Sequence, residues 1–355
     1  MRPDETTRLL PVTEPSGPGY GGTRAPRDPN DPVAGAPRGG GGSSPGKRQH
    51  GTRHVPRLPR VLAVVVALAA AAATVALWRI FVGTHQGQVV EELAYDGALL
   101  GRNWLWTVAE PLLDVVSVSF IVLGTVVSMG VALLRRRWSL AMQVAVVVVG
   151  SNVTTQFLKY SVFDRVNLGG ESWWQNSLPS GHTTVAASVS VALVLAVPRT
   201  ARPLVALLGA VYTGATGIST LVGQWHRPSD VVAALAVVLF WGALACALTT
   251  SSSLDPAPSS GARGARGASR AARGSGAGWV LAVLSAGAVV GGVAAAWALR
   301  HTIDVVESAA VITRREETIA YLGGAGAVVA ATAVVFALLL ALRQTVARST
   351  ARVPV

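Results

Sequence analysis

The sequence predicts an all-α protein, a polytopic bundle of membrane-spanning helices. Of the 355 residues, 51% are hydrophobic and 14% are charged, which is high and low respectively for a soluble domain. The hydrophobic residues also form long runs of Ala, Val and Leu. Because a run of about 20 apolar residues crosses the roughly 30 Å hydrocarbon layer as a helix, we predict eight spans. They are residues 61–82, 112–134, 138–157, 183–197, 204–222, 229–248, 278–299 and 319–342, and the fourth is short for a full crossing.

Two low-complexity segments flank and divide these spans. Residues 1–58 are rich in Pro, Gly and Arg, and we predict a disordered cytoplasmic tail because this composition buries too little apolar surface to fold. We expect no cleavable signal peptide, so the first span serves as an anchor. Residues 250–277 are mostly Ser, Gly, Ala, Pro and Arg, which is typical of a solvated linker. We therefore predict a six-span core at 59–249, a two-span C-terminal helix pair at 278–342 and a tail at 343–355.

Charge is distributed unevenly across the predicted membrane. The net charge is +12, and eight spans place both termini on one side. Many basic residues fall on that side, including Lys47, Arg48, Arg53, Arg57, Arg60, Arg135, Arg136, Arg137, Arg199, Arg202, Arg343, Arg348 and Arg352. The opposite side holds most of the acids. Because this is the positive-inside pattern, we predict cytoplasmic termini and attribute the positive charge to topology rather than to nucleic-acid binding.

Unusual polar residues concentrate in three segments on the predicted extracytoplasmic side. Residues 157–165 follow the third span, residues 178–183 lead into the fourth, and residues 219–230 join the fifth and sixth. Ionisable groups at membrane depth are costly and are functional candidates. Each candidate alone also has an ordinary structural explanation, such as a lysine that snorkels from the end of a span. Together they can converge on one site.

The residue types in the first two segments suit a phosphate group. Lys159 and Arg165 supply fixed positive charge for a tetrahedral anion. Residues 179–182 open a helix, where free backbone N–H groups and the helix dipole favour an anion. Gly181 has no side chain to hinder a close approach to the backbone. We therefore predict an anion site where these segments meet.

Two histidines can divide the roles of nucleophile and acid. His226 and Asp230 are four residues apart at the start of the sixth span. A carboxylate that accepts from one imidazole nitrogen fixes the tautomer and leaves the other nitrogen free to attack phosphorus. His182 comes from another helix and can protonate the departing oxygen. This chemistry requires no metal and no other cofactor, and the single cysteine, Cys246, excludes a cluster of thiolate ligands.

The three segments resemble the signature of the type 2 phosphatidic acid phosphatase superfamily, which includes vanadium haloperoxidases and glucose-6-phosphatase. The second segment has the superfamily's Pro-Ser-Gly-His tetrad unchanged, and Ser219, His226 and Asp230 match the third motif at its spacing. The resemblance covers roughly residues 112–248 and implies a six-helix membrane fold. The implied roles are nucleophile for His226, orienting carboxylate for Asp230, acid for His182, and phosphate binding for Lys159, Arg165, Ser180 and Gly181.

Two departures from the superfamily pattern bear on rate and substrate. The first motif usually has one more residue between its Lys and Arg, and a Pro where this chain has Val166. Thr220 stands where the superfamily usually places a phosphate-binding Arg. The loss of one charged hydrogen bond costs about 1.5–3 kcal/mol of binding. Arg227, beside the predicted nucleophile, is our candidate for the replacement.

We therefore expect a membrane phosphatase that hydrolyses a lipid phosphomonoester or a polyprenyl pyrophosphate at the extracytoplasmic face. The expected partners are that lipid and the bilayer, without nucleic acid or a cofactor. Two alternatives remain open. Because of Thr220, the chain could be a catalytically weakened relative that binds or transports lipid phosphates. It could also be a transporter with the basic pair as an anion site, although we find no paired repeats with broken helices.

Overall fold

The structure is a computed structural model that describes residues 57–100, 138–168, 176–249, 276–308 and 311–346, with a few isolated residues between 107 and 134. Every regular element in these ranges is a helix, which confirms the predicted all-α class for this part of the chain. The helices are α1 (Arg57–Leu77), α2 (His85–Gly97), α3 (Trp138–Phe157), α4 (Gly181–Ala196), α5 (Arg202–Val222), α6 (Pro228–Ala247), α7 (Ala277–Glu307) and α8 (Arg314–Val346). Short turns extend three of them: π-helical turns after α1 (Trp78–Val82) and α3 (Leu158–Val162), and a 3-10 turn after α2 (Ala98–Leu100).

Six of the described helices are long and apolar enough to span a membrane: α1 and α3 with their π-helical turns, and α5 to α8. They correspond to six of the eight predicted spans, as expected of a multi-pass membrane protein. α4, at the predicted span 183–197, has 16 residues, or about 24 Å at 1.5 Å per residue. It packs against α3, α5 and α6, and most of its residues are buried. The predicted span 112–134 lies largely outside the described residues.

α6 is the helix around which the described part of the bundle is organised. Most of its residues are buried, and α1, α3, α4 and α8 pack against it. Small residues allow the close approach of these helices: Gly150 of α3 lies against the ring of Trp241, and Gly242 lies against Leu339 of α8. Within a bilayer, helices associate through such close van der Waals contacts because lipid tails are as apolar as the side chains.

α8 belongs to the same hydrophobic core as the helices that precede it. Its Phe336 is buried against Gly209 of α5, and other α8 side chains share a core cluster with α4, α5 and α6. α7 packs mainly on α8, where Gly291 and Gly326 bring the two backbones into contact. The division into a six-span core and a separate C-terminal pair stays a prediction, but α8 packs within the core.

α2 is not among the predicted elements. It packs mainly against α8, where Gly97 lies against the backbone of Glu317. The side-chain amide of Gln88 donates to the carbonyl oxygens of Val82 and Val166, at 2.8 Å each. The helix therefore links the end of α1 to the segment after α3, beside the residues predicted to carry the chemistry.

Candidate active site

His226 lies in a short loop between α5 and α6. The loop leaves α5 through Gly223 and turns at Gln224, which has a positive φ of 54°. The backbone N–H groups of Trp225 and His226 donate to the carbonyl oxygen of Thr220 at 3.0 and 3.3 Å. These bonds fold the loop back onto the end of α5. They hold His226 in a buried position, with 7% of its surface exposed.

One carboxylate oxygen of Asp230 accepts three hydrogen bonds. This oxygen, Oδ2, accepts from the Ser177 hydroxyl at 2.6 Å and from the backbone N–H of Arg227 at 2.9 Å. It also accepts from Nδ1–H of His226 at 3.2 Å. The first two bonds hold the carboxylate in place, and the third orients the imidazole. When Nδ1 donates, the reactive lone pair of His226 lies on Nε2.

Ser180 joins the segment before α4 to the start of α6. Its backbone N–H donates to the carbonyl oxygen of Asp230 at 2.9 Å. Its hydroxyl caps α4 by accepting from the backbone N–H of Thr183 at 3.4 Å, as N-cap serines do. Ser180 is fully buried. Because its N–H is already engaged, the described geometry gives Ser180 a structural role, and its predicted contact with phosphate stays a prediction.

His182 lies in the first turn of α4 and faces the loop between α5 and α6 that carries His226. Its ring centroid lies 6.3 Å from that of His226 and 5.2 Å from that of Trp225. A Cβ added at Gly181 would meet no atom within 4 Å, so open space lies in front of its backbone. The two predicted catalytic histidines therefore face each other, His182 from the start of α4 and His226 from the loop before α6.

Asn176 holds the end of α3 against the segment before α4. Lys159 lies in the π-helical turn Leu158–Val162 that ends this helix. The side-chain amide of Asn176 donates to the carbonyl oxygens of Lys159, Phe163 and Leu178 at 3.2, 2.7 and 3.0 Å. This three-way contact brings the first predicted segment to the second.

Four predicted site residues line one open cavity of about 620 Å³; they are Lys159, Gly181, His182 and His226. The cavity continues as a groove along α3. The rest of its wall consists of Val148, Val149, Asn152, Val153, Gln156, Tyr160 and Val185. Val148 precedes Lys159 by eleven residues, or about 16 Å along a helix. The cavity therefore has a polar head at the histidines and a largely apolar groove that follows a membrane-spanning helix.

Arg165 and Arg227 are not among the residues that line this cavity. The guanidinium of Arg227 lies 5.5 Å from the ring centroid of Tyr95 on α2, and the side chain is buried. Burial lowers the pKa of Arg165 and the charge of Arg227 lowers it further, whereas the carboxylates of Glu91 and Asp230 oppose this shift. Arg165 therefore feels the charges of Arg227 and of the carboxylates of Glu91, Asp230 and Glu92. The binding of phosphate by the two arginines stays a prediction.

Thr220, at the position where the superfamily usually has an arginine, contributes no charge. It is fully buried, and its hydroxyl donates to the carbonyl oxygen of Gly217 at 2.7 Å. Its own carbonyl oxygen accepts hydrogen bonds from the backbone N–H groups of Trp225 and His226. Thr220 therefore supports the loop rather than the cavity.

Three residues that support the site were not predicted from the sequence: Asn176, Ser177 and Glu91. Asn176 and Ser177 come shortly before the Pro-Ser-Gly-His tetrad, and a polar pair at that place is a signal that could have indicated a contact between segments. Glu91 accepts from the backbone N–H of Ser229 at 2.9 Å. Glu91 and Ser229 are 138 positions apart in the sequence, and no local sequence pattern predicts this contact.

Comparison with known proteins agrees with the motifs. Residues 140–252 match the sequence model of the PAP2 superfamily, and this range contains every predicted site residue. Among solved structures, the chain is similar to a transmembrane PAP2-type phosphatidylglycerolphosphate phosphatase from Bacillus subtilis, at 24% identity and a TM-score of 0.40. That alignment covers 53% of this chain and 94% of the other. No curated protein matches the chain. The family match confirms the predicted resemblance to the PAP2 superfamily over residues 140–252, about a third of the chain.

Proposed function

We propose that this protein is a membrane phosphatase that removes a phosphate group from a lipid through a phosphohistidine intermediate on His226. The observation that carries the proposal is the meeting of two histidines and a lysine at the head of an apolar groove. Nδ1 of His226 is bound to Asp230, and the ring of His182 lies 6.3 Å away. The proposed phosphoryl site lies between these two imidazoles, and the superfamily match supports phosphatase chemistry.

The reaction proceeds in two steps on this proposal. Nε2 of His226 attacks phosphorus, a P–N bond forms, and the P–O bond to the lipid breaks while His182 donates a proton to the departing oxygen. Lys159 and the N–H of Gly181 stabilise the charge on the phosphoryl oxygens. Water then attacks the phosphohistidine, His182 accepts the proton of that water, and the P–N bond breaks to release phosphate. Asp230 keeps His226 in the reactive tautomer throughout.

The groove along α3 supports a substrate with an apolar tail. Val149 and Val153 expose 58% and 61% of their surfaces on this wall. A lipid headgroup at His226 can keep its tail in the bilayer and against these valines. A soluble phosphoester gains no such apolar contact. We therefore favour a lipid phosphomonoester or a polyprenyl pyrophosphate as the substrate.

The direction of the helices and the distribution of charge support an extracytoplasmic site. α3 and α5 end at the site and α4 and α6 begin there, so one end of the bundle carries it. The other ends of the described helices carry Arg57, Arg60, Arg199, Arg202 and Arg343. By the positive-inside rule that end is cytoplasmic. We propose that both termini and the linker at 250–277 lie on that side as well.

A second candidate is a catalytically weakened relative that binds or transports lipid phosphates. Thr220 favours it, because the hydroxyl donates to Gly217 and brings no charge to the cavity. Arg227, the candidate replacement, lies beside Tyr95 and does not line the cavity. A site with one cation fewer than its relatives would hold phosphate less tightly.

Phosphate release by the purified full-length protein separates the two candidates. Phosphatidate, phosphatidylglycerophosphate and a polyprenyl diphosphate are presented in mixed micelles, with and without EDTA. We expect release from at least one of these lipids, no loss of activity with EDTA because histidine attacks directly, and no release by His226→Ala. Binding without turnover would favour the weakened relative. Undiminished release by His226→Ala would overturn the proposed mechanism.

A further inference from the structure

A backbone N–H in the first turn of α6 donates a hydrogen bond to a side chain from a distant part of the sequence. A helix begins with N–H groups that have no acceptor within the helix. Pro228 has no N–H, and the N–H of Arg227 donates to Asp230. The N–H of Ser229 donates to Oε1 of Glu91 on α2 at 2.9 Å. Glu91 is 2% exposed. A buried carboxylate on another helix therefore completes the N-terminus that carries Asp230.

Packing does not close the space beside this contact. A cavity of about 150 Å³ lies between α2, α7, α8 and the start of α6. Glu91 lines it together with Ala94, Pro228, Gly323 and Gly324, whose side chains are small or absent. Gly324 of α8 packs closely against the ring of Pro228, and the guanidinium of Arg227 lies over Tyr95 of α2. Beside the cavity, the hydrogen bond from Ser229 to Glu91 is a direct link between α2 and the first turn of α6.

We propose that Glu91 is a positioning residue for the reaction at His226, and that it acts by accepting the hydrogen bond from Ser229. This inference rests on the proposed function. Glu91 is not among the residues that line the substrate cavity, and it acts through α6, from which Asp230 orients the imidazole. A misplacement of about 1 Å can lower a rate by up to about a hundredfold. A loosened α6 therefore lowers kcat and leaves the binding of substrate unchanged.

The test uses variants of Glu91 in the full-length protein, with phosphate release from a lipid as the assay. Glu91→Gln keeps an oxygen at the same reach and removes the charge. Glu91→Asp keeps the charge and withdraws the oxygen by one methylene, and Glu91→Ala removes the acceptor. Gln86→Ala is the matched control, because it deletes a hydrogen bond from the same helix to Glu307 of α7 and leaves α6 alone. The elution volume in size-exclusion chromatography and the melting temperature report whether each variant is folded.

We expect Glu91→Gln and Gln86→Ala to keep about a third or more of the wild-type kcat, while Glu91→Asp and Glu91→Ala lose about tenfold, the upper range for one uncharged hydrogen bond. KM should stay within about twofold of the wild-type value, since the hydrogen bond is remote from the groove. If Glu91→Ala does not fold, the comparison of Glu91→Gln with Glu91→Asp decides the outcome.

Three results would overturn the inference. They are a wild-type kcat in Glu91→Asp and Glu91→Ala, an equal loss in Glu91→Gln and Glu91→Asp, and a change confined to KM. Failure of the proposed function has a different signature. In that case the wild-type protein releases no phosphate from any lipid of the panel, or His226→Ala retains its activity.

Discussion

The buried carboxyl of Glu91 makes the stability of the fold depend on pH. Burial, followed by the nearby charge of Asp230, raises the pKa of Glu91 from 4.5 to about 7. Between these two values the folded protein keeps a proton that the unfolded chain releases, so stability falls as the pH rises. The full difference is about 3 kcal/mol and is reached above pH 7. Glu91→Gln abolishes this titration and still offers an oxygen to Ser229.

We expect Glu91→Gln to gain stability over the wild-type protein as the pH rises from 5 to 8. The gain in melting temperature should be on the order of 5 °C. The assay is thermal unfolding of the purified full-length protein in one detergent across this pH range. Glu92→Gln is the matched control, because it removes the same charge from a partly buried side chain on the same helix. A difference in melting temperature between Glu91→Gln and the wild-type protein that is constant across pH, or that Glu92→Gln reproduces, would show that Glu91 is not the group whose titration lowers stability.

Three further predictions concern the groove, the nucleophile and the topology. Ser177→Ala removes the 2.6 Å donor to Asp230, and we expect about a tenfold lower kcat with little change in KM; an unchanged kcat would contradict the role of this bond. Val153→Trp fills the groove, so KM should rise for a long-chain lipid phosphate and stay level for a water-soluble short-chain analogue; equal effects would argue against the groove as the path of the tail. In a Cys246→Ala background, an impermeant maleimide should label Asn167→Cys in intact cells and Ser259→Cys only after lysis; the reverse pattern would place the site in the cytoplasm.

Hydropathy alone predicts most of the described membrane helices. The sequence segments that form α1, α3 and α5 to α8 are long and apolar. A helix needs such a segment to cross a bilayer, whatever its neighbouring helices are. α2 has 13 residues of mixed polarity, too few and too polar for this criterion. Hydropathy also does not predict that α8 packs within the core, because this packing depends on which helices meet and not on how apolar each one is.

The candidate site could be predicted in part because its central residues are close in sequence. His226 and Asp230 are only four residues apart in the sequence, so a contact between them could be expected before the fold is known. His182 belongs to a short sequence motif at the start of a helix, so its place in the site could also be predicted. Asn176, Ser177 and Glu91 act through bonds to distant segments, and the sequence shows their residue types without showing their partners. Arg227 shows the opposite limit, because it is next to the predicted nucleophile in the sequence and yet its guanidinium lies against Tyr95.

On the proposed mechanism, His226 carries the phosphoryl group between lipid and water. The most direct measurement is the capture of this intermediate. The purified protein is mixed with a lipid whose phosphate is radiolabelled, quenched rapidly in alkali, and mapped by mass spectrometry of its peptides. We predict label on His226 that is stable in alkali and lost in acid, and none in His226→Ala. Label on another residue, or full turnover by His226→Ala, would contradict the claim.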